Sequence, residues 1–548
     1  MYAQDLEKFA PKTLHKEVVP AQLPELPVRE VRSSATQQQL LKELSGLIFL
    51  RAPEKVLKGG VQMKGILVDG YLPESFFEEM EVFLNQPLTL EDLNAILRKV
   101  VLYFRTQSTP VIDAYVPEQD ITGGTVQVVV VEGRVGSVRA EGNRWFESKA
   151  IEGQVRTQPG DVIRGNALAE DVNWLNKNPF RHVDLVLARG EEKGQTDVIL
   201  RTEDRFPLRV YGGYENSGNV LTGRDRYLAG LNWGNAFGLG HLFDYQFTTS
   251  EEPSRMKAHS LQYEIPLAWH DTVHFSAAYA KSRPEIDPFL LVARSWELSG
   301  RYVRDLPPIG LFRHDLSLGL EYKFSNSDLE FSDSPVFDKK TEVLQVVLGY
   351  GGSMPDTWGR TAFHMQLVSS PGDLSSYNKD KAFDEYKQGS SAQYIYYELD
   401  LDRITALPRD FSWAAKAHVQ FSDGPLLGSE QLGLGGYASV RGFEEREGNG
   451  DEGLLLTNEI RTPNYDISSL LNLPFRAGNL QLLGFWDYGF VNNRDSSSNF
   501  TLSSLGVGSR YQFRSNISMR FDYGWQQIGE SQDDRVDSLG HFGLVVAF

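Results

Sequence analysis

The sequence predicts two small α+β modules followed by an antiparallel β-barrel of about 16 strands that crosses a membrane. Three observations predict it. Helical periodicity ends near residue 207, and period-two alternation takes over to the C-terminus. The N-terminal third runs twice through one order of elements, β-α-α-β-β, at a spacing of about 74 residues counted from Val61 to Val135. The longest uninterrupted apolar runs, such as 100–104 and 544–548, are five residues long. A membrane helix needs about 20, so only strands could make the crossing.

Composition narrows the function classes. The chain has 548 residues and no cysteine, which excludes disulfide frameworks, thiolate zinc sites and cysteine nucleophiles. A net charge of −18 argues against a general nucleic-acid binder. Aromatic residues at 11% and 50 glycines are somewhat high for a soluble domain, and the C-terminal two-thirds carry most of this bias. Residues 1–14 are mixed and charged, with no apolar stretch, so the chain is expected to be a mature form with an added initiator Met.

Residues 1–58 read as a polar leader. A helix is expected near 3–10, a Pro-punctuated linker over 18–28 (VVPAQLPELPV), and a second helix over 35–50 after Ser33 and Ser34 as caps. The first module, 59–133, is expected to open with a strand at 61–68 and a helix at 73–85. Its second helix is capped by Thr89 and carries Leu93, Ile96, Leu97, Val100, Val101 and Phe104 on one face. Strands at 111–116 and 125–132 close it. The second module, 134–207, repeats the order: strand 135–140, helices 146–155 and 166–178, the latter stopped by Pro179, then strands 183–189 and 195–202. Tandem modules of this size either offer a strand edge to an extended polypeptide or act as spacers; the pattern leaves both open.

In 394–404, Ile395, Tyr397, Leu399 and Leu401 share one face while Tyr394, Tyr396, Glu398, Asp400 and Asp402 share the other. The stretches 411–422 and 517–526 alternate in the same way, the second with Phe521, Tyr523 and Trp525 opposite Ser518, Arg520 and Asp522. Aromatics on one face and charges on the other suit a lipid-facing wall around a polar lumen. The 341 residues from 208 to 548 allow about 16 strands at roughly 21 residues each. The chain ends in an apolar strand with terminal Phe548, expected to pair with the first strand and to serve as a barrel-assembly signal, because unpaired backbone in lipid costs several kcal/mol per group.

Two motifs stand out. Val440-Arg441-Gly442-Phe443 lies in a Gly-rich loop, 423–452, between two predicted strands. Phe485-Trp486-Asp487-Tyr488-Gly489 lies within the predicted strand 480–490, where alternation puts Leu482, Trp486, Tyr488 and Phe490 toward lipid and Phe485, Asp487 and Gly489 toward the lumen. This pairing resembles the signature of the outer-membrane superfamily that joins POTRA modules to a translocating barrel. The runs VPEQDI (116–121), VVEGRV (130–135), GNRWF (142–146), LNKNPFR (175–181), DRFP (204–207) and NEIRTP (458–463) are similar to those of two-partner secretion transporters of the hemolysin-activator type. The resemblance runs from about residue 60 to the end.

The resemblance implies a 16-stranded barrel, two periplasmic POTRA modules, a plug helix within 1–58, and loop 423–452 folded back into the pore with Arg441 meeting Asp487. A guanidinium in a partly desolvated lumen needs a carboxylate, and its fork suits one bidentately. Gly442 lets the tip turn close to the wall. Phe443 is expected to wedge the tip, and Glu459 to serve as a second carboxylate. The implied partners are an unfolded exoprotein (TpsA-like, large and β-helical), the barrel-assembly machinery and outer-membrane lipid, with no nucleic acid. No cofactor, metal or enzymatic activity is expected: the Gly433–Gly436 run lacks a following Lys-Ser/Thr, 447–453 lacks a calcium loop's ligand spacing, and no HExxH or GxSxG appears. An assembly factor that inserts other barrels is the alternative within the same superfamily.

Overall fold

The computed structural model describes residues 7–14, 39–70, 74–192, 194–286, 289–331, 334–494, 498–529 and 538–548. Two compact units result, residues 15–206 on one side and 1–14 with 207–548 on the other. The expected linker 18–28 and the start of the expected helix 35–50 lie outside the described residues.

The first unit holds both modules. In the first, helix Leu90–Thr106 starts on a capping box, with Thr89 Oγ1 accepting from the Asp92 N–H at 3.2 Å and the Asp92 carboxylate accepting from the Thr89 N–H at 2.9 Å. All six positions of its apolar face are buried, beside Phe76 and Met80 of helix Glu74–Glu81. These helices cover a four-stranded sheet in the order Gly65–Val68, Gly46–Leu50, Thr125–Glu132, Ile112–Tyr115.

That order corrects the leader. Residues 46–50 are a strand rather than the end of a helix, and 39–41 pair with Leu88–Thr89. Gly46–Leu50 runs parallel to both of its neighbours, and all five of its residues are buried. Strands buried on both faces read as unbroken apolar runs, so GLIFL carried no period to separate strand from helix. The first module therefore begins before residue 59. Its counterpart in the second module is Arg134–Glu141, the parallel neighbour of Gln195–Asp204. Gly65–Val68 is then an added edge strand, not the start of the repeat.

In the second module, Gln195–Asp204 sits between Arg134–Glu141 and Arg181–Arg189. Helix Gly165–Leu175 stops where the Asn176 amide turns to the sheet, donating to the Val183 carbonyl at 2.9 Å and accepting its N–H at 2.7 Å. Arg181 is buried against this helix end, its Nε 2.9 Å from the Leu175 carbonyl, and desolvation pulls its guanidinium down to about 10.

The second unit is a closed antiparallel barrel of sixteen strands, from Leu208–Glu215 to Ser538–Ala547. The first and last strands pair from Tyr211 with Ala547 to Glu215 with Gly543. The terminal residue completes the seam: Val210 and Phe548 exchange backbone hydrogen bonds at 3.1 and 2.9 Å. Strand lengths run from 8 residues at Leu208–Glu215 to 23 at Ser334–Asp356. The wall inverts the logic of a soluble protein: Trp296, Leu320, Trp486, Phe521 and Trp525 face out and exposed, while Asn232, Gln246, Gln345, Asp487 and Asp522 are buried inside. No helix among the described residues is long and apolar enough to cross a membrane.

Within this unit, residues 7–14 lie against the inner wall. The helix expected at 3–10 is, in its described part, a single 3-10 turn, Glu7–Phe9. Phe9 packs on Met256, Ala258 and Ala280.

Candidate functional site: a loop pinned inside the barrel

The connection between strands Ser412–Ser422 and Glu452–Arg461 does not stand off the rim. It folds inward as a small hairpin, Leu432–Leu434 pairing with Gly448–Gly450. The Arg446 guanidinium staples the hairpin by donating to the Gly428 and Gln431 carbonyls, both at 2.9 Å. Leu434, Val440 and Phe443 of the loop are buried with Val491 and Leu502 of the wall.

Arg441 lies at the end of this loop, itself buried. Its Nε and Nη2 donate to the two oxygens of Asp487 at 2.7 and 2.8 Å, and its backbone N–H adds a third bond to the same carboxylate at 3.1 Å. Nη1 donates to Glu459 at 2.6 Å and lies 3.4 Å from Asp522. Beneath the guanidinium is the Phe485 ring, 3.7 Å from centroid to Cζ, so the cation is stacked as well as paired. Arg461 pairs with Glu459 at 2.6 Å and Arg510 with Asp522 at 2.9 Å. Three guanidiniums and three carboxylates thus form one network of balanced charge, contributed by the loop and four neighbouring strands. Charge-assisted bonds are worth about 1.5–3 kcal/mol each, and the balance keeps any one buried charge from standing alone.

The glycines explain how the tip comes so close. Gly442 has φ +90°, a conformation that disfavours a side chain, and a Cβ there would lie 2.9 Å from the Gly524 carbonyl oxygen. A Cβ on Gly524 would lie 2.8 Å from the Gly442 Cα. Loop and strand therefore meet backbone to backbone. At Gly489 a Cβ would run into Leu434 at 2.7 Å and Val440 at 3.0 Å. The Gly442 N–H donates to His541 Nε2 at 3.0 Å, and Gln526 Nε2 donates to the Gly442 carbonyl at 2.7 Å.

The loop has a second hold nearer its start. Glu430 is buried, with Lys323 Nζ at 3.1 Å, Gln345 Nε2 at 3.1 Å and the Tyr396 hydroxyl at 3.0 Å. Leu426 and Leu427 are buried with Phe383 of the short helix Asp380–Tyr386, and Lys387 reaches Asp451 at 2.8 Å. Lys323 and Gln345 belong to the seventh and eighth strands of the ring, Asp487 and Asp522 to the thirteenth and fifteenth, so the two holds use well-separated arcs of wall.

The structure thus brings Val440, Arg441, Gly442, Phe443, Glu459, Phe485, Asp487 and Gly489 together, whereas Phe548 lies apart at the barrel seam. Sequence reading missed Asp522, His541, Arg510, Gln526 and Glu430 as members. Alternation had put Asp522 on the polar face, but only the fold shows which lumen residues the loop reaches. Among the described residues, no group of His, Asp and Glu is arranged to hold a metal.

The family model for haemolysin secretion/activation proteins of the ShlB/FhaC/HecB group matches residues 194–293 and 351–511, and that for the ShlB-type POTRA domain matches 62–133. The heme/hemopexin transporter protein HuxB of Haemophilus influenzae (strain 86-028NP) is 23% identical over 448 residues, 78% of this chain and 76% of HuxB. The outer membrane transporter CdiB of Dickeya dadantii (strain 3937) is 24% identical over 415 residues, 72% and 70% of the two chains. Among solved structures, CdiB from Escherichia coli superposes with a TM-score of 0.74 at 18% identity, over 99% of this chain and 95% of that one, a likeness of fold. The chain belongs to the haemolysin secretion/activation family, the outer-membrane transporters of two-partner secretion.

Proposed function

We propose that this transporter, with its modules in the periplasm, receives an unfolded, large β-helical exoprotein of the TpsA type there and passes it through the barrel to the cell surface, with loop 423–452 as the element that must yield. The observation that carries this reading is the pinned loop. A conduit for a polypeptide needs a closure that an arriving chain can displace, and a lumen loop held by the buried Arg441–Asp487 pair can supply one. Export is favoured over the assembly-factor alternative by the family match to secretion and activation proteins. The first module offers strand edges at Gly65–Val68 and Ile112–Tyr115, and the second at Arg134–Glu141 and Arg181–Arg189, for an extended segment of cargo. Folding of the cargo outside gives the passage its direction, the outward apolar wall meets outer-membrane lipid, and Phe548 presents the chain to the barrel-assembly machinery.

The test removes the modules as the sheet defines them. A chain lacking residues 46–204 is expected to insert as a heat-resistant barrel and to release no exoprotein into the medium. Export at the wild-type rate by that chain would overturn the role given to the modules.

A further inference from the structure

We propose that the inner wall around Arg209, Tyr211, Asn232, Gln246 and Ser260 is a binding track for the main chain of an extended polypeptide, filled at rest by residues 9–12 of this chain and taken over by cargo in transit. The second half of that statement rests on the export reading above; the first half is tested without cargo.

Five wall side chains from the first four strands hydrogen-bond to residues 9–12 through main-chain atoms. Gln246 Nε2 donates to the Phe9 carbonyl at 3.2 Å, and Ser260 Oγ donates to the same oxygen. Arg209 Nη1 and Asn232 Nδ2 both donate to the Lys12 carbonyl at 3.3 Å. The Lys12 N–H donates to the Tyr211 hydroxyl at 2.9 Å. Register explains the convergence. Arg209 lies directly across from Asn232 and Gln246 directly across from Ser260, so each cross-strand pair closes on one carbonyl.

The donors are held in place by the wall itself. The Tyr211 hydroxyl donates to Gln246 Oε1 at 3.0 Å, which leaves its oxygen to accept, and Gln246 Nε2 also reaches Thr248 at 3.1 Å. Arg209 donates to Asn232 Oδ1 at 2.6 Å, and Asn232 Nδ2 donates to Asp244 at 2.7 Å. Such a surface is preorganised for its ligand. Main-chain carbonyls and N–H groups are common to every polypeptide, so these five bonds read no sequence. The side chains of the resident segment are held as well: Phe9 is buried on Met256, Ala258 and Ala280, Pro11 is buried, and Lys12 Nζ is 3.0 Å from Glu215.

The experiment uses the full chain lacking residues 1–14, in planar bilayers, with two synthetic peptides as probes: residues 7–14 (EKFAPKTL) and a scrambled peptide of the same composition. Both peptides are expected to block the channel with midpoints within about tenfold of each other. Gln246→Leu with Ser260→Ala is expected to weaken block by both peptides by about tenfold while the barrel keeps its heat-resistant mobility. Block by the native peptide alone, or block that the double variant leaves unchanged, would overturn the track. If the deleted chain does not form channels, a photo-crosslinker at position 246 of the full chain decides: adducts spread along the exoprotein during export support the proposal, and adducts at one sequence or none overturn it. Peptide block as expected in a wild-type chain that exports no exoprotein would count against the export reading and leave the track standing.

Discussion

At the scale of the residue, the arrangement turns on what a guanidinium needs when water is scarce. The Arg441 guanidinium has two bonds to Asp487, one to Glu459 and an aromatic face beneath it. Removing one member of a buried ion pair costs about 3–5 kcal/mol, and less in a lumen that water reaches. Even about 1.4 kcal/mol shifts a two-position equilibrium tenfold. Arg441→Ala is therefore expected to insert normally and to leave the loop unseated about tenfold more often, measured by open-channel occupancy in planar bilayers against heat-resistant mobility of the barrel. Arg441→Lys keeps the charge but loses the fork, and it should fall between Ala and wild type. The exchange Arg441→Asp with Asp487→Arg is expected to recover part of the loss. If Asp487→Ala keeps the loop seated as in wild type, Glu459 or Asp522 is the partner that matters. The Arg441 and Asp487 positions were legible as a motif pair, because Val440–Phe443 and Phe485–Gly489 together resemble the superfamily signature and Asp487 falls on the polar face of an alternating strand. Asp522 and His541 were not, because no local pattern encodes which lumen residues a returning loop will touch.

At the scale of the element, the backbone contact between Gly442 and Gly524 makes a sharper demand than any side chain. Gly524→Val places branched carbons where the loop backbone now lies, and the strand cannot yield without breaking ladder bonds, so the loop must move. The loop of Gly524→Val is expected to unseat, raising single-channel conductance in planar bilayers, while strand Ile517–Ile528 keeps its pairing and the barrel its heat resistance. Conductance equal to wild type would mean the loop seats without this contact. Elements differed in how openly the sequence declared them. Helix Leu90–Thr106 announced its cap and all six buried positions, since a 3.6-residue period and a Thr-x-x-Asp start are local signals. Gly46–Leu50 announced nothing of the kind, because a strand buried on both faces has no polar residue to mark its period.

At the scale of the whole molecule, sixteen strands close through a seam only five residue pairs long in the ladder, extended by Val210 and Phe548. Deleting Phe548 removes two backbone hydrogen bonds at the one joint where the ends of the sheet meet. The deletion is expected to lower the fraction of heat-resistant barrel in the membrane several-fold while leaving the soluble level of chain unchanged. An unaltered fraction would relieve Phe548 of any part in closure or assembly. The barrel itself was readable from alternation and length because lipid on one side and water on the other impose a period of two on every strand.

The balanced network around Arg441 has an electrical consequence. While the tip is seated, its positive charge is matched by fixed carboxylates on the wall, but those carboxylates stay behind when the loop leaves. Unseating therefore moves charge through whatever potential lies across the bilayer, and about 2.3 kcal/mol of work attends each elementary charge carried through 100 mV. A potential across the bilayer acts along the barrel axis on whatever charge the departing tip carries in that direction, and a neutral residue at position 441 takes one charge out of that coupling.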